Sequence, residues 1–375
     1  MLAHAKLSAS GSHRWLACPG SVKAEDGITD SGSHFAAEGT AAHALAEHCL
    51  NNNLAADTQI GETFEGFEVD NYMAEYVQQY ISYVKSFSGL HLYEKRVDFS
   101  PWVADGFGTC DALIIQDDGV LRVIDLKYGK GLRVDAENNT QAMLYALGAL
   151  EDYGFVYDIQ TIEIAIVQPR LDHIDEWAIG VEDLLAFGED VKRKAELCLT
   201  EDAPRNPGEK QCQWCKAKAK CPALKAYTEQ TIMVMFEDVT PSSTAKPETL
   251  TDEQLTEILN AKKLIEGWLS AVEQHVIGKL ETGQPFKGYK LVEGRSVRQW
   301  VNESEAEKVL SAEYSEDKIY SRKFISVAQA EKLLGKHNLS KLEGLTVKPQ
   351  GKPTLAPEYD KRAAINLTTD DFDAC

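Results

Sequence analysis

No run of about 18 apolar residues, the length a helix needs to cross a bilayer, occurs in the sequence. Its opening, MLAHAKLSASGSHRWLACPGS, lacks the basic-then-apolar pattern of a secretory leader. A cytoplasmic protein with no membrane partner is therefore expected. No Walker-type phosphate loop and no internal repeat are present, so a helicase motor of that type would have to reside on another chain. Positive charge is scarce: 39 Lys and Arg face 59 Asp and Glu, for a formal charge of −20 and a pI near 4.9. Such a charge repels polyanions at long range and counts against a nonspecific nucleic-acid coat. Contact with nucleic acid would require a local basic groove or bound cations.

What is present suits a folded chain. With 375 residues and 43% apolar content, a substantial core and about two or three domains of roughly 100–200 residues are expected. HFAAEGTAAHALAEHCL and VDNYMAEYVQQYISYVKSF have helical composition and spacing. HLYEKRVDF alternates as a strand does, and GTCDALIIQ and VLRVIDLKYG are apolar runs separated by the turn DDG. DAENNTQAMLYALGALEDYG reads as a helix with Asp135 as N-cap and Gly154 near its end. TIEIAIVQP reads as a further strand, and VEDLLAFGEDVKRKAELCL as a return helix. The order predicts an α/β unit over residues 1–236. EDVTPSSTAKPETLT, residues 237–251, reads as a linker to a separate α+β region at 252–375 that opens with a long amphipathic helix.

Asp125 and Lys127 share one side of the strand VLRVIDLKYGKG, because side chains at i and i+2 project together. Alone, the pair could be a surface ion pair contributing about 0–1 kcal/mol. The DDG hairpin, however, can bring Asp111 of GFGTCDALI close to Asp125. Two adjacent carboxylates raise each other's pKa unless a cation lies between them. Such oxygen ligands suit Mg²⁺ or Mn²⁺, and Lys127 could orient a water or stabilise charge on a phosphate.

GTCD with DLK resembles the PD-(D/E)xK nuclease signature, and QAMLY, Gln141 to Tyr145, is similar to the Q-x-x-x-Y motif of its RecB-like branch. That branch carries a histidine on an upstream helix, matched by His43 in GTAAH. The resemblance implies a restriction-endonuclease-like core, a central mixed sheet flanked by helices. It also implies that His43, Asp111 and Asp125 bind metal, that Lys127 assists water attack, and that Gln141 and Tyr145 shape the DNA site. Glu94, on the preceding strand, is either a further member of the site or a solvated strand residue. Glu38 and Glu47 flank His43 and are given no catalytic role.

Cys212, Cys215 and Cys221 form C-x2-C-x5-C, a pattern one ligand short of a metal site in a reducing compartment. Cys18 shares the Cys-Pro context of Cys221 and offers the fourth thiolate. The arrangement resembles the iron–sulfur nucleases of the RecB-like branch, including AddB and the CRISPR-associated single-strand exonucleases. It implies a [4Fe-4S] cluster stapling residue 18 to residues 212–221, with zinc as the alternative. Cys49, Cys110 and Cys198 read as small buried residues, and Cys375 has no comparable spacing.

The whole chain also resembles a phage- and prophage-encoded family in which this core precedes a C-terminal region. The expectation is a Mg²⁺- or Mn²⁺-dependent deoxyribonuclease, an exonuclease on single strands or DNA ends, working with phage replication or recombination proteins in a bacterial host cell. Asp125→Ala is expected to abolish cleavage while leaving folding largely intact. The alternative is a non-catalytic DNA-end-binding module that retains the fold. Lys287, Lys290, Arg295, Arg298 and Trp300 form either a DNA-binding surface or an ordinary amphipathic hairpin.

Overall fold

Three of the four apolar runs read as strands in the sequence pair antiparallel in succession in a computed structural model of the chain, which describes residues 5–28, 34–234, 251–284 and 286–289. They are β3 (Leu90–Asp98), β4 (Phe107–Ile115) and β5 (Val120–Leu126). β4 and β5 form the expected hairpin, closed by Gln116 N–H on the Val120 carbonyl, with Gly119 in the left-handed region at φ +83°. β6 (Thr161–Gln168) runs parallel to β5, and β7 (His173–Gly180) returns antiparallel at the far edge. The sheet is therefore mixed, in the order β3-β4-β5-β6-β7.

Helices cover both faces. α3 (His34–Asn51) and α4 (Asn71–Lys85) pack Leu45, Val77 and Ile81 onto Ala112, Ile114, Ile124, Leu126 and Val167. α5 (Thr140–Tyr153) and α6 (Val181–Leu199) pack Leu144, Leu147, Leu184 and Val191 onto Leu113, Leu121, Val123 and Ile164. A strand buried on both faces reads as a continuous apolar run, as β6 does over residues 164–167. Asp70 caps α4 by accepting from Met73 N–H at 2.7 Å. α5 begins later than the sequence suggested: Asn139, not Asp135, is its N-cap, accepting from Ala142 N–H at 3.1 Å, and its own amide donates to the Asp135 carbonyl.

Shorter elements include α1 (Ser12–Trp15), α2 (Ser21–Ala24), a hairpin of the two-residue strands β1 (Thr63–Phe64) and β2 (Phe67–Glu68), α7 (Glu209–Gln213) and α8 (Pro222–Val234). α9 (Asp252–Glu281), expected to open a separate region, packs Leu264 and Trp268 against Cys212, Cys221 and Leu224. Contacts accordingly divide the chain into Met1–Leu291 and Val292–Cys375. The linker at 237–250, Lys290, Arg295, Arg298, Trp300 and Cys375 lie outside the described residues. No helix among the described residues is long and apolar enough to cross a membrane.

Candidate metal centre and cysteine site

The β4–β5 register pairs Ala112 with Ile124, so Asp111 and Asp125 stand opposite each other at the open end of the hairpin. Asp111 Oδ2 accepts from Leu126 N–H at 2.7 Å, which fixes its carboxylate across that end. Asp125 is only 3% exposed. Its Oδ2 lies 2.9 Å from Lys127 Nζ, and its Oδ1 accepts from Gln141 Nε2 at 3.3 Å. Lys127 Nζ also donates to Gln141 Oε1 at 3.0 Å, and Gln141 Nε2 is 3.2 Å from the Tyr145 hydroxyl. One turn of α5 thus presents Gln141 and Tyr145 to the strand pair at i and i+4. Gly108 makes room: a Cβ there would stand 2.6 Å from the Tyr145 ring.

Burial is the largest influence on the Asp125 carboxyl and raises its pKa; Lys127 pulls it back, and Asp111 pushes it up again. Burial would neutralise Lys127, but the charge of Asp125 outweighs it and holds the ammonium with a raised pKa. Oδ2 of Asp125 has this ion-pair contact but no aligned hydrogen-bond donor among protein groups.

His43 comes from α3 and reaches the same end of the sheet, its Nδ1 3.3 Å from Asp111 Oδ1. Glu94 arrives from β3 by an unusual route. Its φ is +44°, a strained value for a side chain with a Cβ, and the ladder skips from Tyr93–Ala112 to Lys95–Cys110 around it. Side-chain alternation slips on the facing strand too, where Cys110 shares a core with Leu113 and Ile115 while Ala112 and Ile114 face the other side. The result is a group in which ligand atoms of His43, Glu94 and Asp111 lie within 4.8 Å of one another. Burial first, then Asp111, raises the Glu94 carboxyl to about 7. Burial disfavours the His43 cation, but Asp111, Asp125 and Glu94 outweigh it and raise the imidazole to about 9. In the absence of a metal, protons offset the mutual repulsion of these carboxylates. One imidazole and two carboxylates within this reach form a donor set able to hold a divalent cation. Tyr80 of α4 lines the same pocket, is 1% exposed, and its hydroxyl has no partner among protein groups.

Cys18, Cys212, Cys215 and Cys221 line a single cavity. The Cys18-Pro19-Gly20 turn docks on residues 203–206: Gly20 N–H donates to the Pro204 carbonyl at 2.8 Å, and a Cβ on Gly20 would meet the Ala203 carbonyl at 2.5 Å. Backbone N–H groups point at two sulfurs, Asn206 at Cys18 Sγ (3.3 Å) and Gly208 at Cys212 Sγ (3.5 Å). Burial raises the Cys18 and Cys212 thiols and takes Cys215 to about 11, so thiolates here would need positive charge beside them. Cys49, Cys110 and Cys198 are buried elsewhere, the last two donating to the carbonyls of Ala112 and Trp15.

Residues 4–363 match the sequence pattern of a family described as "Protein of unknown function (DUF2800)". The chain belongs to that family. Among solved structures, this DUF2800 chain is similar to one described as "Crystal structure of SSO0001", at 17% identity over 58% of this chain and 85% of that one, with a TM-score of 0.27.

In this DUF2800 member the six motif residues form two linked groups rather than one. His43 and Asp111 join Glu94; Asp125 lies beside them, tied to Lys127, Gln141 and, through Gln141, Tyr145. Glu38 pairs with Arg170 at 3.0 Å, and Glu47 lies at the exposed rim of the pocket. Tyr80 was not anticipated, because it sits on the α4 stripe of Met73, Val77, Ile81 and Val84 and reads as core. Gln168 and Asp175 were also missed. Gln168 bridges Val134 N–H and the Leu132 carbonyl, and Asp175 accepts from Ala136 N–H at 2.6 Å, fastening the loop that delivers α5 to the site.

Proposed function

We propose that this chain is a metal-dependent DNA nuclease with a PD-(D/E)xK core of the RecB-like type, acting as an exonuclease on single strands or DNA ends in phage replication or recombination. The observation that carries this reading is the convergence of His43, Glu94 and Asp111 within 4.8 Å, beside the buried Asp125–Lys127 pair. His43, Glu94 and Asp111 would hold Mg²⁺ or Mn²⁺, with Asp125 at the margin of the site. A cation bound there supplies charge stabilisation for the phosphate and lowers the pKa of a bound water.

The chain's own groups prepare the rest. Asp125 and Gln141 fix the Lys127 ammonium by contacts of 2.9 and 3.0 Å, so that it can orient water and meet negative charge at a phosphate oxygen. Gln141 divides its amide among Lys127, Asp125 and Tyr145, so substrate contacts at the α5 end are coupled to the position of the lysine. β5, packed on both faces, and α5, packed on one face of the sheet, hold these groups on buried elements.

The four cysteines, which line one cavity, would hold a [4Fe-4S] cluster, with zinc as the alternative. A cluster would tie the segment around residue 18 to that around 212–221.

Anaerobically purified protein incubated with end-labelled single- and double-stranded DNA, in Mn²⁺ or Mg²⁺ against EDTA, tests the reading. Cleavage that requires the cation is expected. Tight DNA binding without cleavage in either metal would instead assign the chain to the non-catalytic end-binding class.

A further inference from the structure

The cysteine-bearing segment departs sharply from the acidity of the rest of the chain. Between Arg205 and Lys225 the sequence holds six basic residues and one acidic residue, Glu209, within a protein of net charge −20. That acidic residue is already paired with Lys263 of α9. In the middle of the segment, between Cys212 and Cys215, Trp214 is 66% exposed, leaving most of a large aromatic surface in water.

Trp214 is also connected to the candidate metal centre through α1. Ser12 Oγ is 2.6 Å from Thr140 Oγ1, the residue before Gln141. Gln141 in turn accepts from Lys127 Nζ at 3.0 Å, and the next residue after Ser12, His13, is exposed. Arg14 donates to the Trp214 carbonyl at 3.5 Å and pairs with Glu25 at 2.9 Å, while Glu25 also accepts from Lys216 N–H at 2.7 Å. Three consecutive residues thus run from the site helix to the backbone of Trp214, whose indole is exposed.

We propose that this ridge, from Lys127 past His13 and Arg14 to Trp214, is the path of an unpaired nucleic-acid strand, with the Trp214 indole as a stacking platform for a base. The inference rests on the nuclease reading and adds the strand's route and its aromatic contact. Lysines of the segment attract phosphates whatever the sequence, and an exposed indole stacks on any base that is not paired. A duplex buries its base faces in its own stack and cannot use the indole this way, so the surface selects single strands.

The test uses the full chain, loaded with its cluster, and a fluorescein-labelled oligodeoxynucleotide in EDTA, so that binding is read without cleavage. Trp214→Ala should weaken single-strand binding about tenfold, while Trp214→Phe stays within about threefold and duplex affinity is unchanged. Lys216→Ala with Lys220→Ala should reduce the slope of log affinity against log salt by about 1.4, at roughly 0.7 per lost phosphate contact. Unaltered melting and visible absorption of each variant confirm an intact fold and cluster. Single-strand affinity of Trp214→Ala equal to wild type overturns the path and assigns the indole to another kind of partner, leaving the nuclease reading standing. Wild-type protein that binds no DNA overturns both.

Discussion

Replacing Tyr80 by Phe removes one oxygen and leaves the ring where it packs on α3 and the sheet. That oxygen is buried with no partner among protein groups, in the pocket shared by His43, Glu94 and Asp111. A buried hydroxyl without a partner costs about 1–3 kcal/mol. Tyr80→Phe should therefore stabilise the cation-free protein by about that amount, or about 2–4 °C in Tm per kcal/mol for a domain of 150–250 residues. If the hydroxyl exists to hydrogen-bond a cation's water or a ligating carboxylate, the same change should weaken Mn²⁺ binding about tenfold, as loss of outer-shell partners does. At saturating Mn²⁺ the stability gain should then shrink by about 1.4 kcal/mol. Urea unfolding in EDTA and in excess Mn²⁺, together with calorimetric titration of Mn²⁺, reads both effects. A variant less stable than wild type in EDTA would mean that the hydroxyl has a partner in the folded chain, and unchanged Mn²⁺ affinity would remove Tyr80 from the site.

Three further outcomes follow from the same geometry. Asp125→Ala leaves the Lys127 ammonium without its buried partner and should cost about 3 kcal/mol rather than leave the fold intact; Asp125→Asn should unfold near the wild-type midpoint yet lose cation-dependent cleavage, and equal midpoints for Ala and wild type would refute the buried-pair account. Glu94 and His43 have folded pKa values of about 7 and about 9, above their ordinary 4.5 and 6.5, so both hold protons that a cation must displace. Their contribution to cation-free stability is full below the ordinary values and is lost as pH rises through about 7 and then about 9, while Mn²⁺ affinity should rise over the same range with proton release; calorimetry in buffers of different ionisation heat measures it, and affinity flat from pH 6 to 9 contradicts the pocket. Cys18→Ser should abolish the visible absorption and iron of anaerobically purified protein and expose the N-terminal segment to proteolysis, whereas colourless wild-type protein with one zinc would replace the cluster.

Features written in local periodicity were the legible ones. The strands β3 to β6 and the helices α3 to α6 follow from alternation, apolar runs and helical stripes, and the DDG turn sets a register that puts Asp111 opposite Asp125. β7 escaped because HIDEWAIG carries Asp175 and Glu176, which suit a half-exposed edge strand but weaken its apolar signal. Glu94 could not be assigned because its role depends on a positive φ that breaks the strand's alternation, and composition does not announce such strain at a non-glycine residue. Tyr80 was hidden for the opposite reason: it obeys the helical stripe, and only the three-dimensional pocket distinguishes its hydroxyl from a core ring. The division of the motif residues into a His43–Glu94–Asp111 group and an Asp125–Lys127–Gln141 group likewise depends on which oxygen faces which donor, a property of side-chain direction rather than spacing.

The most direct test is anomalous diffraction at the manganese edge from crystals of the full chain equilibrated with Mn²⁺. The account predicts a peak bounded by His43, Glu94 and Asp111, lost in Glu94→Gln crystals prepared alongside. Saturating Mn²⁺ with no density among those three side chains would contradict it.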